Sequence, residues 1–230
     1  MELSKRLAAI AGLVTERAVV ADVGTDHGYV PIYLVETGKC ERAIAMDVNQ
    51  GPLDRAFMHI REHKLEKRIE IRLSDGLKSL RKGEADTVIA AGMGGGLIIR
   101  ILEESKETAE SIREFILQPQ SEIHKVRAYL SRNGFCLTEE KMAEEENKFY
   151  PMMKLVHGEE PAYTELELYY GRKLLAGRDQ ALRRFLIKEE KRLESIYQGI
   201  KGQPGEAVKF RRGEIRTELM RIRQALALYR

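Results

Sequence analysis

Four short stretches in the first hundred residues combine carboxylates with glycines in patterns that could hold a ligand. The first is Asp22-Val23-Gly24-Thr25-Asp26-His27-Gly28, where Gly24 and Gly28 permit a tight turn and a close approach of backbone to ligand. The second is Asp47, placed where an acid can accept both hydroxyls of a ribose. The third is Asp75-Gly76, a carboxylate able to accept a hydrogen bond from an adenine amino group. The fourth is the run AAGMGGGLI over 90–98, whose backbone could lie flush against a flat ring at Gly92, Met93 and Gly94. Each piece alone is weak evidence. Asp47 reads equally as a surface acid after a strand, and the glycine loop equally as tight strand–helix packing.

Asp26 narrows the choice of ligand. A dinucleotide needs the helix N-terminus after the first turn free to face its pyrophosphate, and a carboxylate there repels phosphate. S-adenosylmethionine has no phosphate and carries a positive sulfonium, beside which a carboxylate is tolerated or helpful. The turn therefore argues for a sulfonium cofactor over NAD.

These residues need strand ends to stand on, and the sequence supplies them. Runs at 18–23, 42–48, 69–75, 85–92 and 114–120 read as strands. Between them, 30–38, 51–65, 96–108 and 121–134 read as helices, with Gly38 closing the first, Pro52 in the first turn of the second and Ser121 capping the last. Such alternation predicts a mostly parallel sheet with helices on both faces, and all four stretches then fall at carboxyl ends of strands. Two further strand-like runs between 135 and 158 predict a closing antiparallel pair, with Pro151 marking an edge or a bulge.

From about Tyr163 the pattern is helical. Leu186, Leu193 and Ile200 repeat every seven, and Ile215, Leu219, Ile222, Leu226 and Tyr229 form a second stripe beyond the breaker GQPGEA. This predicts a hairpin of coiled-coil type, with Arg212, Arg216 and Arg223 along one flank of its second helix. From Gly171 to Arg230 there are 16 lysines and arginines against 7 acids, so with a total of +3 the rest of the 230-residue chain is acidic. A basic tail on an acidic body suits a nucleic-acid partner, although a solvated helical surface would look the same.

Composition excludes several classes. Cys40 and Cys136 are too few for a disulfide framework or a metal cluster. Leu3, Leu7, Ile10 and Val14 share one face of an amphipathic N-terminal helix that also carries Lys5 and Arg6, unlike a signal peptide. Nothing approaches the length of a membrane span. A soluble, cytoplasmic monomer without metal is the expectation.

Taken together, ADVGTDHGYVPIYL, AIAMDVNQGPL, LSDGL, IAAGMGG and LQPQ resemble the bacterial TrmK family, class I S-adenosylmethionine-dependent enzymes that methylate N1 of adenine 22 in tRNA. The likeness spans essentially the whole chain. It implies a Rossmann-like methyltransferase domain over 1–162 and a basic, tRNA-binding helical hairpin over 163–230. It also implies that Asp22, Gly24, Gly28, Asp47, Asp75, Gly76, Gly92, Met93 and Gly94 hold the cofactor, and that Asp26, His27 and Tyr29 stand beside the transferred methyl.

Chemistry leaves those last three roles open. Adenine N1 carries a lone pair at neutral pH, so the enzyme must mainly align donor and acceptor. Asp26 could stabilise the cationic product ring, or only fix the turn. His27 could orient the base, contact a phosphate or serve as a structural hydrogen-bonding residue, and Tyr29 could stack on the base or pack on its helix. No Asn/Asp-Pro-Pro-aromatic motif, which would bind an exocyclic amine, follows the fourth strand. A methyltransferase of this fold with another substrate, a dinucleotide oxidoreductase and a non-catalytic RNA-binding module remain as alternatives.

Overall fold

In the computed structural model, residues 1–229 are described; Arg230, the last residue of the expected hairpin, lies outside them. The chain divides into two compact units, the first ending at Ala162 and the second beginning at Tyr163. The first unit runs α1 (Lys5–Leu13), β1 (Ala18–Val23), α2 (Tyr29–Glu36), β2 (Cys40–Asp47), α3 (Gln50–Glu62), β3 (Ile69–Leu73), β4 (Thr87–Gly94), α4 (Gly95–Glu104), α5 (Lys106–Ala109), β5 (Glu114–Ser121), α6 (Ile123–Arg132), β6 (Phe135–Glu145) and β7 (Lys148–His157).

The strands form one seven-stranded sheet in the order β3-β2-β1-β4-β5-β7-β6. The first five in that order are mutually parallel, and β7 is antiparallel to both β5 and β6. The order reverses between β1 and β4, and open parallel sheets bind ligands in the crevice at such a reversal.

The strands are apolar on both faces because helices cover both. Ala21, Val23, Ile44, Met46, Val88 and Ala90 point into a core shared with Ile98, Ile101 and Leu102 of α4 and Val126 and Leu130 of α6. Val20, Ala43, Ala45, Ile89 and Ile116 point the other way, against Ile10, Ile32, Leu34 and Ile60 of α1 to α3. The N-terminal stripe docks as expected, with Ile10 and Val14 buried and Leu3 and Leu7 packed at the margin.

Several boundaries differ from the sequence reading. β4 continues through the glycines to Gly94, and the expected helix over 96–108 breaks at Ser105, which leaves helical backbone angles. Ser121 does not cap α6: it ends β5, and Glu122, in the left-handed region at φ 51°, takes the cap position. The Ser121 hydroxyl instead lies along Gly94, where a Cβ would come within 3.3 Å of it. Pro151 lies in β7, between β5 and β6 in the sheet, so the strand is internal. Pairing with β5 covers only 153–156, however, so at Pro151 the strand has β6 alone beside it and its missing N–H breaks no ladder on the open side. The bulge falls on β6, between Leu137 and Glu139. Glu146 and Asn147, both at positive φ, close the β6–β7 hairpin in the twist that suits a two-residue turn.

The second unit contains α7 (Glu165–Tyr170), α8 (Arg172–Ala176), α9 (Gln180–Ile200) and α10 (Glu206–Ala227). Leu186 and Leu193 of α9 and Ile215, Leu219, Ile222 and Ala225 of α10 are buried, while Ile200 and Leu226 are half-buried toward the ends. The start of α10 meets the end of α9, where Arg212 bonds the Lys201 carbonyl, and Arg223 reaches back to Glu190 and Glu194. The two helices therefore form an antiparallel hairpin.

Candidate active site

β1 ends because Gly24 turns the chain at φ +76°. The N–H groups of Gly24 and Thr25 both donate to the Met46 carbonyl, at 2.8 and 2.9 Å, which clamps the turn onto the end of β2. Asp22 and Asp47 are thereby brought to one rim. Asp22 is buried, and that burial pushes its carboxyl up to about 6; the Thr25 side chain pulls the other way and the Asp47 charge adds to the rise. The Thr25 hydroxyl is itself buried, with no partner at full hydrogen-bond geometry among the described residues. Asp47 accepts from the Asn49 N–H at 2.7 Å through Oδ1 alone.

Opposite this turn stands the glycine-rich end of β4. A Cβ on Gly24 would overlap the methyl at the flexible end of Met93, so Met93 lies directly on the turn, and the left-handed backbone there favours glycine. Gly92 takes φ +81°, and Gly94 caps α4. Asp75 and Gly76 follow β3, as the sequence suggests. The Asp75 carboxylate is paired, accepting from Lys78 at 2.6 Å and Arg100 at 3.3 Å, and the Lys78 hydrogen bond above all holds it below the usual carboxylate range.

Gly28, at φ +69°, caps α2 and packs on Ala56, where its Cβ would stand 3.3 Å from the alanine methyl. That contact lays α3 beside the turn and supplies partners the sequence reading did not name. Arg55 bonds Asp26 through Nε at 3.1 Å and through Nη2. His59 Nδ1 lies 3.0 Å from the His27 carbonyl. The rings of His27, Tyr29 and His59 stack on one another, with centroids 5.0 to 5.4 Å apart. Asp26 Oδ2 is 3.4 Å from His27 Nε2, and His27 Nδ1 is buried without a partner among the described residues. The spacing of Arg55 and His59, one helical turn apart, was the available signal, but nothing in the sequence pointed that face at Asp26.

The three tail arginines are placed in the second unit, each with a contact inside the hairpin. Arg212 bonds the Lys201 carbonyl, Arg216 lies 5.9 Å over the Tyr197 ring, and Arg223 pairs with Glu190 at 2.8 Å and Glu194 at 3.0 Å. Among the described residues no helix is long and apolar enough to cross a membrane, and no group of three or more potential ligands could hold a metal ion.

The sheet order and the acid-lined, glycine-turned rim define a Rossmann-like methyltransferase. The methyltransferase domain family matches residues 3–153. The tRNA (adenine(22)-N(1))-methyltransferase of Bacillus subtilis is 37% identical over 172 residues, 74% of this chain and 72% of that one. Among solved structures, B. subtilis TrmK, an M1A22 tRNA methyltransferase, superposes with a TM-score of 0.86 at 30% identity, covering 98% of this chain and 99% of that one. Streptococcus pneumoniae Sp1610, solved in complex with S-adenosyl-L-methionine, superposes at 0.88 with 30% identity, covering 98% and 100%. The chain belongs to the TrmK family of S-adenosylmethionine-dependent methyltransferases.

The rim fits that cofactor. Asp22 is buried with no cation paired to it, and Asp47 keeps Oδ2 without a partner among the described residues, so the pair favours a ligand bearing positive charge and hydroxyl donors.

Proposed function

We propose that this protein transfers a methyl group from S-adenosylmethionine to N1 of adenine 22 in tRNA. The observation that carries the reading is the pairing of buried Asp22 with Asp47 beside the Gly24–Met93 contact, in a chain 37% identical to an enzyme named for that reaction. Asp22, Gly24, Gly28 and Asp47 would hold the cofactor from one side, Asp75–Gly76 from the adenine side, and Gly92, Met93 and Gly94 would separate it from the acceptor. The cofactor, when bound, supplies an electrophilic methyl group on a sulfonium.

The residues of the chain then have to align an acceptor nitrogen that needs no prior deprotonation. Asp26 faces the positive charge that develops on the ring as N1 gains the methyl. In the free protein Arg55 neutralises Asp26, so that ion pair must open or share the carboxylate for the role to be exercised. Stacked with His59, His27 and Tyr29 offer an aromatic face of the kind on which an unpaired or flipped base rests. The hairpin holds RNA through Arg212, Arg216 and Arg223, with Arg223 contributing least because two glutamates already claim it. The protein acts as a monomer in the cytoplasm, without metal.

The test is mass spectrometry of nucleosides after incubation of the purified protein with unmodified tRNA and methyl donor. 1-Methyladenosine is expected. Only N6-methyladenosine would move the acceptor to the exocyclic amine, and no methylated nucleoside would overturn the reading.

A further inference from the structure

On the far side of the β4 loop from Gly24 lies a group that no step above uses. Arg6, in the first turn of α1, is half-buried, and its Nη1 donates to Gln118 Oε1 at 3.0 Å. Gln118 is fully buried near the carboxyl end of β5, and its Nε2 donates to the Pro119 carbonyl at 3.2 Å. The amide therefore serves as a fixed bracket for the guanidinium. The Arg6 Cζ lies 5.6 Å over the Tyr150 ring. A Cβ on Gly92 would stand 3.8 Å from both Arg6 Nη1 and Gln120 Nε2, so two side-chain donors border this glycine.

Arg6 makes no ion pair among the described residues, and apart from the Gln118 bond its N–H donors have no protein partner there. Arg55, Arg72, Arg100 and Arg127 of the same unit are each paired with a carboxylate. A guanidinium without a counter-ion keeps its fork of donors available, and that fork matches an oxyanion. Two oxyanions come to such a site, the carboxylate of the cofactor and the phosphates of the RNA. The cofactor turn meets this loop through Met93 on the Gly24 side, whereas Arg6 borders Gly92, Gln120 and Tyr150 on the β5–β7 side.

We propose that Arg6, braced by Gln118, is a substrate-binding residue that takes a backbone phosphate beside the nucleotide to be methylated. The assignment rests on the functional reading above. In Arg6→Ala the KM for tRNA should rise about 10- to 100-fold, the loss of a hydrogen-bonded charge pair. The slope of log affinity for tRNA against log salt should become shallower by about 1. Affinity for S-adenosylhomocysteine, measured calorimetrically, should stay within about twofold, which also reports an intact rim. Arg6→Lys should keep the salt slope and recover part of the KM.

Unchanged tRNA affinity and salt slope in Arg6→Ala would overturn the assignment. So would weakened S-adenosylhomocysteine binding with an unchanged slope, which would give Arg6 to the cofactor carboxylate. Loss of both affinities in Arg6→Lys as well as Arg6→Ala would make Arg6 a prop of the rim and overturn it too. Wild-type protein that binds S-adenosylhomocysteine but methylates no tRNA would instead overturn the functional reading, and this assignment with it.

Discussion

Asp22 should make cofactor binding depend on pH, and the size of the effect follows from its surroundings. Burial, with the Asp47 charge adding, moves its pKa from 3.8 to about 6. A carboxyl raised in the folded state binds its proton more tightly there than in the unfolded chain. Its contribution is therefore most favourable below the unfolded value and is lost as pH rises from about 4 through 6, a cost of about 3 kcal/mol. A ligand that brings positive charge to the rim needs the ionised form and should return the pKa toward its ordinary value. Binding at pH 6 should then release about half a proton, and affinity at pH 5 should be about tenfold weaker than at pH 7.5. Calorimetry of S-adenosylmethionine binding, without tRNA, in two buffers of different ionisation heat measures both quantities. Asp22→Asn should bind more weakly and without this slope. Equal affinity at the two pH values with no proton release would refute the reasoning. The same slope in Asp22→Asn would refute it too, by assigning the titration to another group.

Asp47→Ala should weaken S-adenosylhomocysteine binding, and unchanged affinity in calorimetry would remove Asp47 from the ribose site. Gly24→Ala forces a side chain into a left-handed backbone conformation and into the Met93 methyl, so it should cost about 1–3 kcal/mol, visible as a thermal midpoint several degrees lower, and should impair cofactor binding. Asp26→Ala should lower kcat by about 100-fold while S-adenosylhomocysteine affinity changes little; near-normal turnover would reduce Asp26 to holding Arg55 and the turn. Replacing Arg212, Arg216 and Arg223 together should weaken tRNA binding in filter assays and flatten its salt dependence, with Arg223→Ala alone having the smallest effect because Glu190 and Glu194 already screen it.

The strands and their order of appearance were legible because burial on both faces of a parallel sheet writes β-branched runs such as AVVADV directly into the chain. Gly24 and Gly28 were legible as turn residues, and both take positive φ; Gly92, read as loop, lies within β4. Boundaries were less so. Ser121 looked like a helix cap by residue type, yet its hydroxyl lies along Gly94 of a strand 27 positions away, a contact with no local signature. Pro151 suggested an edge, and it lies in an internal strand that becomes an edge only where β5 stops.

The sequence by itself determined the acids and glycines of the rim, their placement at strand ends and the heptad stripes of the hairpin, because these depend on periodicity and on residue type within a few positions. Tertiary structure alone decided who faces whom. It set Arg55 against Asp26, stacked His59 on His27 and Tyr29, and bracketed Arg6 with Gln118, which is 112 residues away. It also raised the Asp22 pKa, since burial is a property of the packed interior and not of the aspartate. Side-chain pairings across such distances are fixed by which faces the two cores bury, and that is settled only when the whole sheet has closed.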